Sequence, residues 1–163
     1  MSPIPSFDTI DHLGVTVPDL DKAVAFFVEA LGAEDWYREG PSEDAADAMW
    51  HELRVHPRAS VRLAMLKLGS STTIELLEYK VPPGEATTTA PRNSDHSAAH
   101  IGLRVRDVEA AAAHLRNVPG VEVLEGPVTV EEEGASAGLK WCYFVAPWGL
   151  MMELVQLPEG MTV

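Results

Sequence analysis

The stretch Ile10-Asp11-His12-Leu13-Gly14-Val15-Thr16-Val17-Pro18-Asp19-Leu20 is written twice in this chain. Its second version is Ala98-Ala99-His100-Ile101-Gly102-Leu103-Arg104-Val105-Arg106-Asp107-Val108, at an offset of 88 from His12 to His100. In that register Gly14 meets Gly102, Val17 meets Val105 and Asp19 meets Asp107; farther on, Ala23 meets Ala111 and Ala25 meets Ala113. A second echo closes each half. Ile74-Glu75-Leu76-Leu77 answers Met152-Glu153-Leu154-Val155, at a shorter offset because the first half carries extra loop. Each half therefore opens on a strand bearing a histidine and closes on a strand bearing a glutamate. A repeat in a small chain implies that neither half buries its apolar face alone.

Working outward, residues 10–17 alternate in the β sense, with His12, Gly14 and Thr16 on one face and Leu13, Val15 and Val17 on the other. Pro18-Asp19 marks a turn and a helix start, with Asp19 or Asp21 as cap. Leu20, Val24, Phe27 and Leu31 recur at helical spacing, and Gly32 supplies the stop. The apolar faces of strand and helix are expected to meet, leaving the His12 face turned away from the helix. A short strand is expected near Trp36-Tyr37, then a loop or short helix over 39–48, then strands at Trp50–Val55, Val61–Leu68 and Thr72–Tyr79. The second half repeats the plan with a strand at 99–105, an Ala-rich helix at 107–117, strands at 121–124 and 128–130, and a hairpin of 141–145 with 150–157. Each half reads β-α-β-β-β. The boundaries are 8–82 for the first module, 83–97 for a Thr/Pro/Ser/Asn connection without period, and 98–158 for the second, the two forming one compact domain.

With 163 residues, 46% of them hydrophobic, the chain can bury a sizeable core. No apolar run approaches the about 18–20 residues that span a bilayer, and Met1-Ser2-Pro3-Ile4-Pro5 has neither the basic region nor the apolar core of a signal peptide. Cys142 is the only cysteine, which excludes an intramolecular disulfide and favours a reducing, cytoplasmic compartment. The formal net charge of −13, with Arg and Lys scattered, argues against nucleic acid or an anionic membrane as partner and leaves a small-molecule substrate.

On alternation, Glu75 shares a face with Leu77 and Tyr79, and Glu153 with Met151 and Val155, while Ile74, Leu76, Met152 and Leu154 lie against the helices. Glu78 falls opposite Glu75 and reads as solvent-facing; His51, His56, His96 and His114 read as solvated. A lone histidine in a strand is usually a surface or satisfied residue, whereas a carboxylate on an apolar strand is costly without a partner. Two of each, at equivalent places in a repeat, point to a metal site of His12, Glu75, His100 and Glu153 if the modules pack with approximate two-fold symmetry. Two imidazoles and two carboxylates suit one divalent ion of Ni, Co, Zn, Mn or Fe and leave positions for water or substrate. Such an ion polarises a carbonyl oxygen and acidifies the neighbouring C–H, with a glutamate as proton carrier.

These residues resemble the vicinal oxygen chelate superfamily, which includes glyoxalase I, methylmalonyl-CoA epimerase, extradiol dioxygenases and the fosfomycin and bleomycin resistance proteins. The likeness runs from Ile10 to Leu157, and is carried by Asp11-His12-Leu13-Gly14-Val15, His100-Ile101-Gly102-Leu103, and Tyr143-Phe144-Val145-Ala146-Pro147-Trp148-Gly149 leading into Glu153-Leu154-Val155. It implies an α+β fold of two βαβββ modules forming an eight-stranded, incompletely closed barrel around a metal, with His12, Glu75, His100 and Glu153 in the four ligand positions. It also implies a metal-dependent isomerase, epimerase or lyase of the glyoxalase type, in which Glu75 and Glu153 serve as the acid/base pair, and a homodimer. Methylmalonyl-CoA epimerase is similar but commonly carries Gln at the Glu75 position. Pro91-Arg92-Asn93-Ser94-Asp95 and Gly138-Leu139-Lys140-Trp141 are similar to members that epimerise cyclic polyol ketones. Two alternatives stay open: an Fe(II) extradiol-type dioxygenase, which uses two His and one carboxylate, and a metal-free binding or resistance protein. Thr16, Tyr79, Arg104 and Tyr143 are candidate substrate-binding residues.

Overall fold

A computed structural model of the chain describes residues 4–6, 8–43, 51, 53–70, 72–81, 92–96 and 98–161. The chain divides into two compact units, Met1–Ala86 and Thr87–Val163.

In the first unit, β1 (Leu13–Thr16) leads into helix α1 (Leu20–Ala25), whose last turn widens to a π-type turn over Phe26–Ala30. The strands β2 (Glu34–Glu43), β3 (Ser60–Leu68) and β4 (Thr72–Tyr79) follow, and the sheet order is β1-β4-β3-β2. The β1–β4 pair is parallel, and β4–β3 and β3–β2 are antiparallel. Asp19 caps α1 by accepting the Lys22 N–H at 3.1 Å. The helix buries Leu20, Ala23, Val24 and Phe27 against one face of the sheet, where Ala64, Leu66, Ile74 and Leu76 are fully buried. Each large apolar side chain in this layer contributes about 1.5–3 kcal/mol.

The second unit repeats this plan. After β5 (Ile101–Arg104) comes helix α2 (Val108–Leu115), then β6 (Glu122–Val123), β7 (Val128–Thr129), β8 (Lys140–Val145) and β9 (Met151–Gln156). The sheet order is β5-β9-β8-β6, with β7 also on β8. Since β6 pairs with Phe144-Val145 and β7 with Lys140-Trp141, the two share one edge of β8 and occupy a single strand position. The interruption falls at Gly126-Pro127, and β2 shifts register between Glu39 and Ser42, where Gly40-Pro41 sits. Proline has no N–H to give to a ladder, so each edge strand breaks at its Gly–Pro. Asp107 caps α2 at 3.0 Å from the Ala110 N–H, the repeat equivalent of Asp19. Val108, Ala112 and Leu115 bury against Cys142, Phe144, Met152 and Leu154.

Each sheet is open, with β1 and β2 as edges of the first and β5 and β6/β7 as edges of the second. The fold is the α+β, two-βαβββ plan expected from the repeat. Three expectations need correction. The short strand at Trp36-Tyr37 is a ten-residue strand that also takes in residues 39–43. The strand expected over Trp50–Val55 is not one: His51 and Leu53 are helical, and Arg54 turns the chain at φ 58. Finally, Glu78 is buried, at 2% exposure. It lies on the helix-facing side, where the Arg62 guanidinium (3.3 Å) and the Lys80 ammonium (2.6 Å) neutralise it. Trp50, residues 44–48 and most of the connection, 82–91, lie outside the described residues.

Candidate metal-binding pairs

Parallel pairing places Gly14 directly opposite Glu75, and antiparallel pairing places Met65 on Glu75's other side and Tyr37 beyond it. Opposite residues share a face, so Gly14, Glu75, Met65 and Tyr37 form one row on the side away from α1. His12, two residues before Gly14, sits on that same side. Its Nε2 is 3.4 Å from Glu75 Oε2. The ring is set by Asp11, whose Oδ2 accepts from Nδ1 at 2.8 Å, and a carboxylate on Nδ1 leaves Nε2 as the lone-pair nitrogen of the neutral ring. The same hydrogen bond from Asp11, aided by the charge of Glu75 and opposed by slight burial, raises the His12 pKa above 6.5.

The second unit builds the same row as Gly102, Glu153 and Tyr143. His100 Nε2 is 3.2 Å from Glu153 Oε2. Ala99 stands where the first unit has Asp11, and His100 meets Tyr143 instead: ring centroids 5.2 Å apart at 82°, with the hydroxyl 3.5 Å from Nε2. Trp141 packs edge-on against Tyr143 at 5.4 Å. Burial, then the charge of Glu153 and hydrogen bonding to it, raise the Tyr143 phenol, so it remains a protonated donor at neutral pH.

The glycines make room for the glutamates. A Cβ at Gly14 would lie 3.7 Å from Glu75 Oε2, and one at Gly102 would lie 3.9 Å from Glu153 Oε2. Anything longer than a methyl group there would enter the carboxylate's place. Both histidine side chains are 38% exposed and the glutamates 23% and 18%, so each pair is reachable from solvent yet backed by its sheet. Two ligand atoms about 2.0–2.2 Å from one ion lie about 3.0–3.5 Å apart at octahedral to tetrahedral angles. The two N···O separations fall in that range, so each pair fits two cis positions on a divalent ion, and the donor set contains no thiolate. Among the described residues, no group of three or more His, Cys, Asp or Glu is gathered for a metal; within a unit the set is the pair.

The other candidates lie on the same faces. Thr16 is opposite Leu77, one row from Glu75, and is exposed. Tyr79 is half-buried four residues beyond Glu75; burial and then the Glu75 charge raise its phenol. Arg104 is exposed opposite Val155, in the row of Trp141. Cys142 is buried on the helix side, where burial pushes its thiol up, as suits inert packing. Asp11 is a functional neighbour that the repeat alone does not single out, because its equivalent in the second half is Ala99.

The Glyoxalase/Bleomycin resistance protein/Dioxygenase superfamily matches residues 11–142. A 2-epi-5-epi-valiolone epimerase from Actinomyces sp. is 45% identical over 157 residues, covering 96% of this chain and 84% of that protein. A glyoxalase family protein from Bacillus cereus superposes with a TM-score of 0.73 at 19% identity, covering 95% of this chain and 99% of that one. The fosfomycin resistance protein FosX of Listeria monocytogenes, solved with Mn(II) and sulfate, gives a TM-score of 0.61 at 17% identity, covering 94% and 95%.

Proposed function

Because the chain belongs to the glyoxalase/bleomycin resistance protein/dioxygenase superfamily, we propose that it is a metal-dependent epimerase that moves a proton beside the carbonyl of a cyclic polyol ketone. The observation that carries the proposal is the duplicated pair, one imidazole nitrogen and one carboxylate oxygen 3.4 Å apart in one half and 3.2 Å apart in the other. His12, Glu75, His100 and Glu153 are the proposed metal ligands. The substrate class follows the relative that is a 2-epi-5-epi-valiolone epimerase. The FosX structure with Mn(II) makes Mn²⁺ a reasonable first ion to test, and the two-nitrogen, two-oxygen donor set also accepts Fe²⁺, Co²⁺, Ni²⁺ or Zn²⁺.

When bound, the ion supplies Lewis acidity to the substrate carbonyl. The chain's own groups do the rest. A glutamate oxygen takes the proton as the C–H bond breaks, and the electron pair moves into an enolate. The second glutamate, as a carboxylic acid, then gives a proton to the other face of the same carbon, so that the C–H bond re-forms with inversion; proton exchange with solvent resets both carboxyl groups. Glu75 and Glu153 are the proposed acid/base pair. Thr16, Tyr79, Arg104 and Tyr143 supply hydroxyl and guanidinium donors on the same faces for substrate oxygens, and Trp141 supplies an apolar wall. No helix among the described residues is long and apolar enough to cross a membrane; the proposal extends to a cytoplasmic homodimer, from the single cysteine and the resemblance.

The test is to incubate purified protein with Mn²⁺ and 2-epi-5-epi-valiolone in D₂O. The expected result is inversion at one carbon next to the carbonyl with deuterium incorporated there, and loss of both in Glu75→Gln. Oxygen consumption with ring cleavage, or no exchange with any of the five ions, would contradict it.

A further inference from the structure

The outer strand of the first sheet, β2, carries two aromatic residues side by side and leaves both open: Trp36 is 52% exposed and Tyr37 40%. The strand pairing accounts for their direction. Asp35 pairs with Leu66 and Tyr37 with Met65, so Trp36 is an extra residue in a β-bulge. Tyr37 therefore stands in the row of Met65 and Glu75, on the face away from α1. The Trp36 ring lies 4.8 Å from the ammonium of Lys67, which belongs to that same face two residues after Met65, and meets the Tyr37 ring edge-on at 5.1 Å. Strict alternation would give this face only one of two neighbouring side chains; the bulge gives it both. Bulges beside functional rows commonly re-aim a side chain in this way. Lys67 steadies the indole by a cation–π contact and is itself paired with Glu34 at 3.2 Å.

We propose that Trp36 and Tyr37 are specificity-determining residues that stack on the C–H face of an uncharged cyclitol ring at the outer edge of the first sheet. The inference rests on the epimerase reading for the identity of the ring. Neighbouring strands are about 4.8 Å apart, so the backbone of Tyr37 stands about 10 Å from that of Glu75, a span that one substituted six-membered ring bridges. A polyol ring carries hydroxyls at its rim and C–H groups on its faces. Aromatic rings take the C–H groups, and the Tyr37 hydroxyl stays available to a rim oxygen. Charge selects the same occupant. Among the described residues of these rows the one cation is Lys67, already paired with Glu34, and Glu75 adds a negative charge. A phosphorylated ring would meet net repulsion there, whereas a neutral polyol needs no countercharge.

Trp36→Leu, Tyr37→Leu and Trp36→Phe test this in the full-length chain. Contact with 2-epi-5-epi-valiolone is read by saturation-transfer NMR on the Zn²⁺-loaded proteins, which needs no turnover, and kcat and KM are measured with Mn²⁺. In the parent, irradiating the protein's aromatic protons is expected to saturate the ring C–H signals of the cyclitol. Both leucine variants should lose most of that transfer, and Trp36→Phe should keep it. KM should rise about tenfold or more in the leucine variants with kcat within a few-fold, the pattern of lost binding rather than lost chemistry. Parent-like transfer and KM in both leucine variants overturns the assignment. So does a change confined to sedimentation behaviour, which would make the two aromatics a contact between copies of the chain. Transfer without turnover in the parent sinks the epimerase reading and leaves the stacking site standing; turnover without transfer does the reverse. If one leucine variant does not fold, the other decides alone.

Discussion

Asp11 does for His12 what no neighbour does for His100 in its own strand: it fixes the ring through Nδ1 and favours the charged form. A histidine whose pKa is raised on folding contributes stability that is fully present below its unfolded value and is lost as pH rises through its folded value. The metal-free chain should therefore gain stability as pH falls from above the folded His12 value toward about 6.5, and Asp11→Asn should blunt the gain. Urea midpoints across that window, with and without the substitution, check it; equal slopes would remove Asp11 from the account. The glycines carry a second prediction. A methyl at Gly14 or Gly102 makes ordinary contact with the opposed glutamate, so Gly102→Ala should bind Mn²⁺ within a few-fold of the parent. Gly102→Val should lose about tenfold or more, since ligand orientation commonly controls affinity on that scale. At this scale the sequence was readable where a residue was duplicated. His12, Glu75, His100 and Glu153 stood out because each had an echo at an equivalent place, and strand alternation put them on the face away from the helices. Glu78 was misread because alternation gives the face of a side chain without saying whether a cation waits there.

At the scale of elements, α1 is tied to its sheet by more than apolar burial. Asp21 accepts from Arg62 at 3.0 Å and from Arg38 at 2.9 Å, and Arg62 reaches on to the buried Glu78. Removing the cation from a buried carboxylate costs more than removing the carboxylate from partly exposed cations. Arg62→Met should therefore destabilise by about 2–3 kcal/mol and Glu78→Gln by about 1 kcal/mol, read from urea unfolding. The reverse order would mean that Glu78 is not held as a charge by Arg62. The elements legible beforehand were those with a strong period or a cap: β4 at Thr72–Tyr79 to the residue, β3 within one residue, the first helix start at Asp19, one of the two caps the sequence allows, and the second within one residue of 107. The edge strands were not. The length of β2 was hidden by Glu39-Gly40-Pro41-Ser42, which reads as a turn, because its pairing with β3 is restored beyond a shift in register that no local pattern announces. The split of β6 from β7 has the same origin at Gly126-Pro127.

At the scale of the whole molecule, each half supplies one nitrogen and one oxygen donor, and the proposal predicts that a substitution in either half weakens metal binding. The net charge of −13 favours the approach of a divalent cation and disfavours polyanionic partners. A ligand bound only by the folded state stabilises it by about 2.7 kcal/mol at a concentration 100 times Kd, roughly 5–10 °C in Tm for a chain of this size. Mn²⁺ should raise the melting temperature of the parent on that scale, EDTA should reverse the rise, and His12→Ala and His100→Ala should each abolish it.

The most direct measurement is the metal content of the purified chain by elemental analysis, for the parent and for His12→Ala and His100→Ala. The account predicts about one divalent ion per chain in the parent and loss of it in both variants, one substituted in each half. No ion in the parent, or full occupancy retained in either variant, would contradict it.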